Sequence, residues 1–412
     1  MKLMRLCMSA SVVAGCVMAI LAAQSAPAQT YKVLHTFTGG ADGANPSAGL
    51  TRDAKGNLYG TTQAGGAFNV GTVFKLSNTG KETVLYSFAG GTDGSIPEGV
   101  VIQDAEGNLY GTTYAGGANG AGTVFKLSRT GKETVLYSFG GEDYSDGANP
   151  GAGVVEDAER NLYGTTTSGG FYGCDATPGC GIVFKLSPTG KETVLYRFRG
   201  VDYDDGDGPS GVIRDANGNL YGTTFTGGSG GCQRRETGCG TVFKVDRAGK
   251  ETVLYRFTAD GGSPSGGVIQ DAKGNLYGTT GNCPDGSCGG TVFKLRNTGK
   301  ETVLYGFPSR SDGVDPNAGV IEDAEGNLYG TTGGGGDASC GYGGSGCGVV
   351  FKLSKTDKET LLYSFTGGVD GAVPYAGLTR DTKGNLYGTT YSGGDLSCAD
   401  GQGCGVVFEL TP

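Results

Sequence analysis

Asn57-Leu58-Tyr59-Gly60-Thr61-Thr62 is the first of seven copies of the hexapeptide NLYGTT; the others begin at Asn108, Asn161, Asn219, Asn275, Asn327 and Asn385. Successive copies start 51 to 58 residues apart, so one repeated unit accounts for nearly the whole chain. A repeat of this length is typical of a stacked or ring-shaped architecture. Residues present in every copy usually serve the copy itself, so we expect function where the copies differ.

Each copy is predicted to form four short β-strands. In the first copy these are residues 49–53, 58–62, 71–76 and 82–88, separated by a glycine-rich loop and by the turn sequences DAKG and NTG. Short segments rich in β-branched and aromatic residues, bounded by turn signals, indicate antiparallel strands. Four strands in a unit of about 50 residues match one blade of a β-propeller.

The two ends of the chain complete each other. Residues Tyr31 to Phe37 match the fourth-strand pattern VLYSF, whereas the last copy stops after the third-strand pattern at Gly405 to Leu410. Pairing these segments would give every blade four strands and close the ring, which removes open sheet edges. The sequence therefore predicts an all-β, seven-bladed propeller of four-stranded antiparallel blades, with an open β-solenoid as the alternative.

The N-terminus is predicted to be a secretory signal peptide, residues 1–28, followed by one propeller domain, residues 29–412. Lys2 and Arg5 precede an apolar stretch, and Ala26-Pro27-Ala28 fits a cleavage site. A lipoprotein anchored at Cys16 is the alternative, because Val13-Ala14-Gly15-Cys16 resembles a lipobox. No later segment reaches the roughly 20 apolar residues that a membrane-spanning helix needs.

The charge of the chain restricts its partners. Lys and Arg number 32 against 41 Asp and Glu, a formal net charge of −9. Such a protein repels phosphate backbones and anionic lipid, so nucleic acid is excluded as a partner. We expect a secreted monomer that is periplasmic or extracellular and binds a glycan or a protein.

Two aspartates recur in every copy. One begins the sequence DGxxP that joins successive copies, at Asp42, Asp93, Asp146, Asp205, Asp260, Asp312 and Asp370. The other begins the hairpin turn before NLYGTT, from Asp53 to Asp381. A ring of carboxylates could bind cations, but Asp-Gly also starts turns, and we favour the turn interpretation. Arg160 replaces the usual turn glycine in the third copy, which predicts a strained turn there.

Ten cysteines outside the signal peptide form five close pairs, one in the loop between the second and third strands of copies three to seven. In a secreted chain, disulfide bonds explain such pairs better than zinc does, because the spacing is looser than that of zinc knuckles. The predicted pairs are Cys174 with Cys180, Cys232 with Cys239, Cys283 with Cys288, Cys340 with Cys347, and Cys398 with Cys404.

These loops and the connections between copies should emerge on one face of the propeller, which we call the loop face; the opposite side is the turn face. Length variation and irregular sequence concentrate on the loop face, so we expect the binding site there. Its exposed aromatic and arginine side chains suit stacking on sugars or anchoring of a protein, although each could also cover its own loop. The candidates are Phe68, Tyr114, Phe171, Tyr172, Phe225, Arg234, Arg235, Tyr342, Tyr375 and Tyr391.

Catalytic and metal-binding residues are sparse. The only histidine, His35, occupies the tyrosine position of VLYSF and is interpreted as a packing residue. The chain therefore lacks a histidine that could serve in a Ser-His-Asp triad.

An acidic patch comprises Glu142, Asp143, Asp202, Asp204 and Asp207. Residues 202–207 could hold calcium but lack the spacing of an EF-hand, and we predict no other cofactor.

The combination of DGxxP, DxxGNLYGTT, a glycine-rich loop, GTVFKL and TVLYSF from Tyr31 to Leu410 resembles the bacterial GloVer repeat family. The resemblance implies an exported, repeat-built surface protein. The GNLY hairpin is also similar to hairpins of lactonase-like and streptogramin-lyase-like propellers. Those enzymes rely on acidic or histidine site residues, and the resemblance assigns none of them to a position in this sequence.

We therefore expect a carbohydrate- or protein-binding module. An extracellular lactonase, lyase or glycosidase with a carboxylate site on the loop face is the first alternative, and a structural surface component is the second.

Overall fold

The computed structural model describes residues 29–140, 142–170, 174, 179–228, 237–258, 261–281, 289–340 and 345–412. In these ranges, strands β1 to β28 form seven four-stranded antiparallel sheets, each one blade of a propeller. Short 3₁₀ helices lie at Glu142–Tyr144, Val201–Tyr203 and Ala399–Gly401. The predicted fold is confirmed. No helix in the described part of the chain is long and apolar enough to cross a membrane.

In blades 1 to 6 the strands follow chain order from the propeller axis outward, and blade 7 takes its outermost strand from the N-terminus. Blade 1 contains β2 (Thr51–Arg52), β3 (Leu58–Thr62), β4 (Thr72–Leu76) and β5 (Glu82–Ser87), and blade 2 contains β6 (Ile102–Gln103), β7 (Leu109–Thr113), β8 (Thr123–Leu127) and β9 (Glu133–Ser138). Blade 3 contains β10 (Val155–Glu156), β11 (Leu162–Thr166), β12 (Ile182–Leu186) and β13 (Glu192–Arg197), and blade 4 contains β14 (Gly206–Arg214), β15 (Leu220–Gly227), β16 (Thr241–Val245) and β17 (Glu251–Arg256). Blade 5 contains β18 (Ile269–Gln270), β19 (Leu276–Thr280), β20 (Thr291–Leu295) and β21 (Glu301–Gly306), and blade 6 contains β22 (Ile321–Glu322), β23 (Leu328–Thr332), β24 (Val349–Leu353) and β25 (Glu359–Ser364). Blade 7 contains β26 (Thr379–Arg380), β27 (Leu386–Thr390), β28 (Val406–Thr411) and, outermost, β1 (Thr30–Thr36).

The N-terminal strand closes the ring, as the sequence predicts. Strand β1 lies antiparallel to β28, with Thr30 opposite Thr411 and Thr36 opposite Val406. The Phe37 amide then donates a hydrogen bond of 3.0 Å to the Gly405 carbonyl. Blade 7 thus obtains its fourth strand from the opposite end of the chain.

The innermost strands are shorter than predicted. Residues 49–53 were expected to pair, but β2 comprises only Thr51–Arg52. The preceding residues pack against neighbouring blades around the axis, where a Cβ on Gly153 would clash with the Val100 carbonyl. Blade 4 is the exception, because its inner strand β14 is nine residues long.

The first half of NLYGTT anchors the hairpin of its own blade. In blade 1, Asp53 accepts hydrogen bonds from the Asn57 amide (2.8 Å), Asn57 Nδ2 (2.7 Å) and the Tyr59 hydroxyl (3.2 Å). Burial opposes ionisation of Asp53, but these donors outweigh it and lower its pKa. The side chains of Asp104, Asp157, Asp215, Asp271, Asp323 and Asp381 accept the same bonds from Asn and Tyr of their blades.

The second half of the motif joins the strands and blades. In blade 2, a Cβ on Gly111 would lie 2.7 Å from the Phe125 ring, so only glycine fits. The Thr112 hydroxyl donates to the Ala152 carbonyl of blade 3 at 2.7 Å. Thr113 and Thr123 share a hydrogen bond of 2.9 Å. Leu109 is buried in the core, so all six motif positions have structural roles.

The aspartates of DGxxP also serve the scaffold. The Tyr137 hydroxyl at the end of β9 donates to Asp146 Oδ2 at 2.7 Å, and Tyr86 and Tyr363 make the same bond to Asp93 and Asp370. At His35 the histidine replaces this tyrosine, and its Nε2 lies 3.4 Å from Asp42 Oδ2. Burial lowers the pKa of His35, in keeping with the packing role expected of it.

Arg160 adopts the strained conformation expected of it, with φ of 63°. Its guanidinium bonds to Glu106 Oε1 at 2.7 Å and approaches Asp104 Oδ2 at 3.4 Å, so blade 3 is linked to blade 2. These charge-assisted contacts offset part of the backbone strain.

The hydrophobic core lies between blades. Phe88 of blade 1 is fully buried and packs edge-on against Phe125 of blade 2, with ring centroids 5.2 Å apart. The corresponding pairs recur at the other described seams, from Phe37 with Phe74 to Phe365 with Phe408. The ring is therefore held together by packing of each blade on the next.

Three of the five predicted disulfides are present: Cys174–Cys180, Cys340–Cys347 and Cys398–Cys404. Cys239 is also disulfide-bonded. Its predicted partner Cys232 and the pair Cys283 and Cys288 lie outside the described residues. In blade 7 the bridge packs on Gly39 of the connection to blade 1.

Candidate functional site

A pocket of about 590 Å³ lies on the propeller axis at the loop face. Inner segments of all seven blades line it, largely with glycine, alanine and backbone atoms. Few side chains of the described lining are large or polar, so these few decide what this central pocket can bind.

Two positions of the repeat supply all the polar and aromatic side chains of the described lining, and we call the residues at these two positions the rim. The first follows the proline of DGxxP, and the second follows NLYGTT. The first set is Ser47, Glu98, Gly151, Ser210, Ser265, Asn317 and Tyr375; the second is Gln63, Tyr114, Thr167, Phe225, Gly281, Gly333 and Tyr391. Unlike the motif itself, both sets vary strongly among the copies.

Glu98 is the only charged side chain among the described residues that line the pocket. Gln63 Nε2 donates to Glu98 Oε1 at 3.0 Å and to Ser47 Oγ at 2.9 Å, which joins the rims of blades 1 and 2. Burial raises the pKa of Glu98. The carboxyl group is thus held in place and partly withdrawn from water.

Four predicted aromatic residues gather at the rim. Tyr114, Phe225 and Tyr375 line the pocket, and Tyr391 packs against Tyr375 with ring centroids 5.6 Å apart. Strand β15 extends to Gly227, beyond the usual end at the last threonine of the motif, and carries Phe225. Phe225 and Tyr375 stay 39% and 42% exposed, so part of each side chain reaches solvent.

The other predicted residues are placed differently. Phe68 lies in the loop between β3 and β4, is 61% exposed, and is not among the described residues of the pocket lining. A role for Phe68 in binding stays a prediction. The remaining candidates lie outside the described residues: Phe171, Tyr172, Arg234, Arg235 and Tyr342.

Sequence reasoning missed the polar part of the rim. Glu98, Gln63 and Ser47 stand beside invariant residues, and their own variation was not used as a signal. Comparison of the seven copies position by position would have found them, because the residue after the proline is Ser, Glu, Gly, Ser, Ser, Asn and Tyr in turn.

Two aspartates of the acidic patch make an ion pair or a hydrogen bond within the protein. Asp204 pairs with Arg256, with an Nη2 to Oδ2 distance of 2.9 Å, and Asp207 accepts a hydrogen bond from Thr226 at 3.2 Å. In the described ranges, no three His, Cys, Asp or Glu side chains are grouped as metal ligands. Calcium binding at residues 202–207 stays a prediction.

Solved structures share the fold. Selenomethionine-substituted virginiamycin B lyase from Staphylococcus aureus superposes with a TM-score of 0.59 at 14% identity, over 93% of this chain and 99% of that chain. The extracellular domain of the hybrid two-component system BT4673 from B. thetaiotaomicron gives 0.56 at 13% identity, over 93% of this chain and 42% of that chain. At such identities the likeness concerns the fold alone.

The repeat itself identifies the family. No curated protein matches the chain. The model of the Gloeobacter/Verrucomicrobia repeat matches residues 13–177 and 171–408, which together span nearly the whole sequence. The chain therefore belongs to the Gloeobacter/Verrucomicrobia repeat family.

Proposed function

We propose that this protein is an exported binding module that takes a carbohydrate in its central pocket. The observation that carries the proposal is that one pocket brings three aromatic side chains of its lining, Tyr114, Phe225 and Tyr375, together with the hydrogen-bonded group of Gln63, Glu98 and Ser47. Aromatic faces stack on the apolar faces of sugar rings, while carboxyl, amide and hydroxyl groups bond to sugar hydroxyls.

The shape of the site favours a carbohydrate over a folded protein partner. A volume of about 590 Å³ falls within the roughly 300–1,000 Å³ of small-ligand pockets. A standard protein interface instead buries about 800 Å² on each partner. A pocket of this volume has room for one or a few sugar units.

Export is supported by the disulfide bonds, because such bonds persist in oxidising compartments outside the cytoplasm. The extracellular domain of BT4673 shows that this fold also serves outside the cell in another protein. The signal peptide itself and the alternative anchor at Cys16 lie outside the described residues.

The proposal is tested by glycan-array screening and titration calorimetry on the mature protein. We expect Tyr114→Ala and Tyr375→Ala each to weaken glycan binding at least tenfold, with the melting temperature unchanged. Phe68→Ala is the matched control, because it removes an exposed aromatic residue of the same face outside the described pocket lining. Absence of any glycan ligand, or an equal loss in Phe68→Ala, would overturn the proposal.

An enzyme acting from the same pocket is the second candidate. A glycosidase requires two carboxyl groups, and Glu98 is the only one that the described lining provides. The raised pKa of Glu98 is favourable for a single general acid or base of a lyase or lactonase. Turnover of a bound glycan or lactone by the wild type but not by Glu98→Gln would support this candidate.

A further inference from the structure

One side of the central pocket contains a small hollow whose wall is built by four rim residues. A Cβ placed on Gly151 would lie 3.7 Å from Glu98 Oε2, 3.9 Å from Tyr114 Cδ2 and 3.5 Å from Thr167 Cγ2. These three side chains therefore converge on the space in front of Gly151. Apart from Gly151 itself and its two chain neighbours, no described atom lies nearer to that point.

Gly151 keeps this space open. At the same position of the repeat, the other six copies carry Ser47, Glu98, Ser210, Ser265, Asn317 and Tyr375, and only the third copy has glycine. Any side chain here would stand between the Glu98 carboxylate and the Tyr114 ring. Glycine thus occurs at this position only in the third copy, beside Glu98, which is the only charged residue of the described lining.

Glu98 is bonded on one oxygen only. Gln63 donates to Oε1, whereas Oε2 accepts no hydrogen bond from the described residues and faces the hollow. No lysine or arginine is among the described residues that line the pocket. The protein therefore provides a carboxylate without a counter-charge, and the raised pKa of Glu98 follows from that burial.

A carboxylate beside an aromatic ring has a specific complement. Ammonium groups bond to carboxylates and are attracted to the faces of tyrosine rings. The surplus of acidic residues in the chain, 41 against 32 basic ones, also attracts cations from solution. A neutral hydroxyl would satisfy the hydrogen bond but leave the charge of Glu98 uncompensated.

We infer that the hollow formed by Glu98, Tyr114, Thr167 and Gly151 is a subsite for a protonated amine, so that the pocket selects sugars with free amino groups over neutral sugars. This inference rests on the proposed function, since it assigns a ligand class to the same pocket. De-N-acetylated hexosamine oligomers are the chemical class that combines a stackable ring with such an amine.

The test compares two trimers by titration calorimetry at neutral pH: β-1,4-linked glucosamine and its N-acetylated counterpart. We expect the glucosamine trimer to bind at least tenfold more tightly to the wild type. Glu98→Gln should reduce this preference to about twofold, since it keeps the shape and the bond to Gln63 but removes the charge. Glu325→Gln, which removes an exposed carboxylate on the turn face, should leave it unchanged.

A second variant tests the space itself. Gly151→Ser should weaken binding of the glucosamine trimer to the level of the N-acetylated trimer without lowering the melting temperature, because the hollow is open to the pocket. Equal binding of the two trimers by the wild type, or a preference that survives Glu98→Gln, would overturn the inference while leaving carbohydrate binding intact. Failure of both trimers and of every other glycan would overturn the proposed function as well.

Discussion

Motif residues and rim residues of the same blade differ in their contacts and in how much they vary among the copies. Tyr110, within the motif of blade 2, is buried and donates its hydroxyl to Asp104 at 3.0 Å, and the same bond recurs in all seven blades. Tyr114, only four residues later, lines the central pocket. Its counterparts in the other copies are Gln, Thr, Phe, Gly, Gly and Tyr.

The difference shows where this architecture admits variation. Motif residues bond to their own blade or the next, so a change in one copy removes a contact that the ring needs. Except in blade 4, whose strands are longer, rim residues lie just after the motif strand or in the connection that precedes the inner strand, where a change alters the surface around the pocket but leaves the strand pairing intact. One repeat thus supplies two parts. The strands with their NLYGTT and DGxxP motifs, which we call the shell, recur in every blade, whereas the rim differs at each blade.

The largest expected effect comes from breaking the shell at its closure. Removal of residues 29–37 would delete β1, expose the edge of β28 and take the fully buried Phe37 out of the core. We expect loss of the cooperative thermal transition and aggregation, because open sheet edges pair between molecules. Circular dichroism and size-exclusion chromatography would measure both.

Two controls accompany this experiment. Lys32→Ala changes an exposed side chain of the same strand and should melt like the wild type. A synthetic peptide of residues 29–38 should restore the transition of the shortened protein. If the shortened chain melts as the full chain does, the closing strand has no structural importance.

A second prediction concerns how the free energy of unfolding of the shell depends on pH. Six blades begin their outer strand with glutamate, and burial together with the nearby DGxxP aspartate raises the pKa of Glu82, Glu133, Glu192 and Glu251 from 4.5 to about 7. In blade 7, Tyr31 takes this position and stacks on Tyr363, with centroids 3.9 Å apart.

Because the folded state holds these protons more tightly than the unfolded state, stability is highest below the unfolded pKa and falls as pH rises from about 4.5 to 7. The hairpin aspartates act oppositely, since their lowered pKa values make stability fall at more acidic pH. The free energy of unfolding should therefore peak between about pH 4 and pH 4.5, that is, between the ordinary pKa values of Asp and Glu. With allowance for solvent screening of partly buried groups, we expect about 1 kcal/mol lost per glutamate by pH 8.

Urea unfolding at pH 5 and pH 8 measures this difference. Glu133→Gln should remove the share of one glutamate, about 1 kcal/mol, whereas Glu325→Gln on the exposed turn should leave the difference unchanged. A free energy of unfolding that is flat or rises over this pH range would contradict the assignment of protonated glutamates to the seams.

The repeat made the fold accessible from sequence. Seven near-identical copies fixed the strand count, and the match of Tyr31 to Phe37 with the outer-strand pattern gave the closure. The length of the inner strands was not accessible, because it depends on how Gly153 and its equivalents crowd around the axis rather than on local propensity.

The candidate site was accessible only in part. Aromatic residues on the loop face stood out, and four of them meet at the pocket. Phe68 looked equivalent to them in sequence, yet it lies in an outer loop, since pattern alone does not show which loop residues face the axis. Glu98 was overlooked because it directly follows the recurring DGxxP turn motif, whose residues serve the scaffold.

The most direct measurement compares Tyr110→Phe and Tyr114→Ala for both stability and glycan affinity. Tyr110→Phe removes a single buried hydroxyl and should cost about 1 to 2 kcal/mol of the free energy of unfolding, with affinity unchanged. Tyr114→Ala removes a whole side chain, yet it should change the free energy of unfolding by less than about 0.5 kcal/mol and weaken binding at least tenfold. If both variants lose stability and affinity together, the separation of shell and rim is wrong.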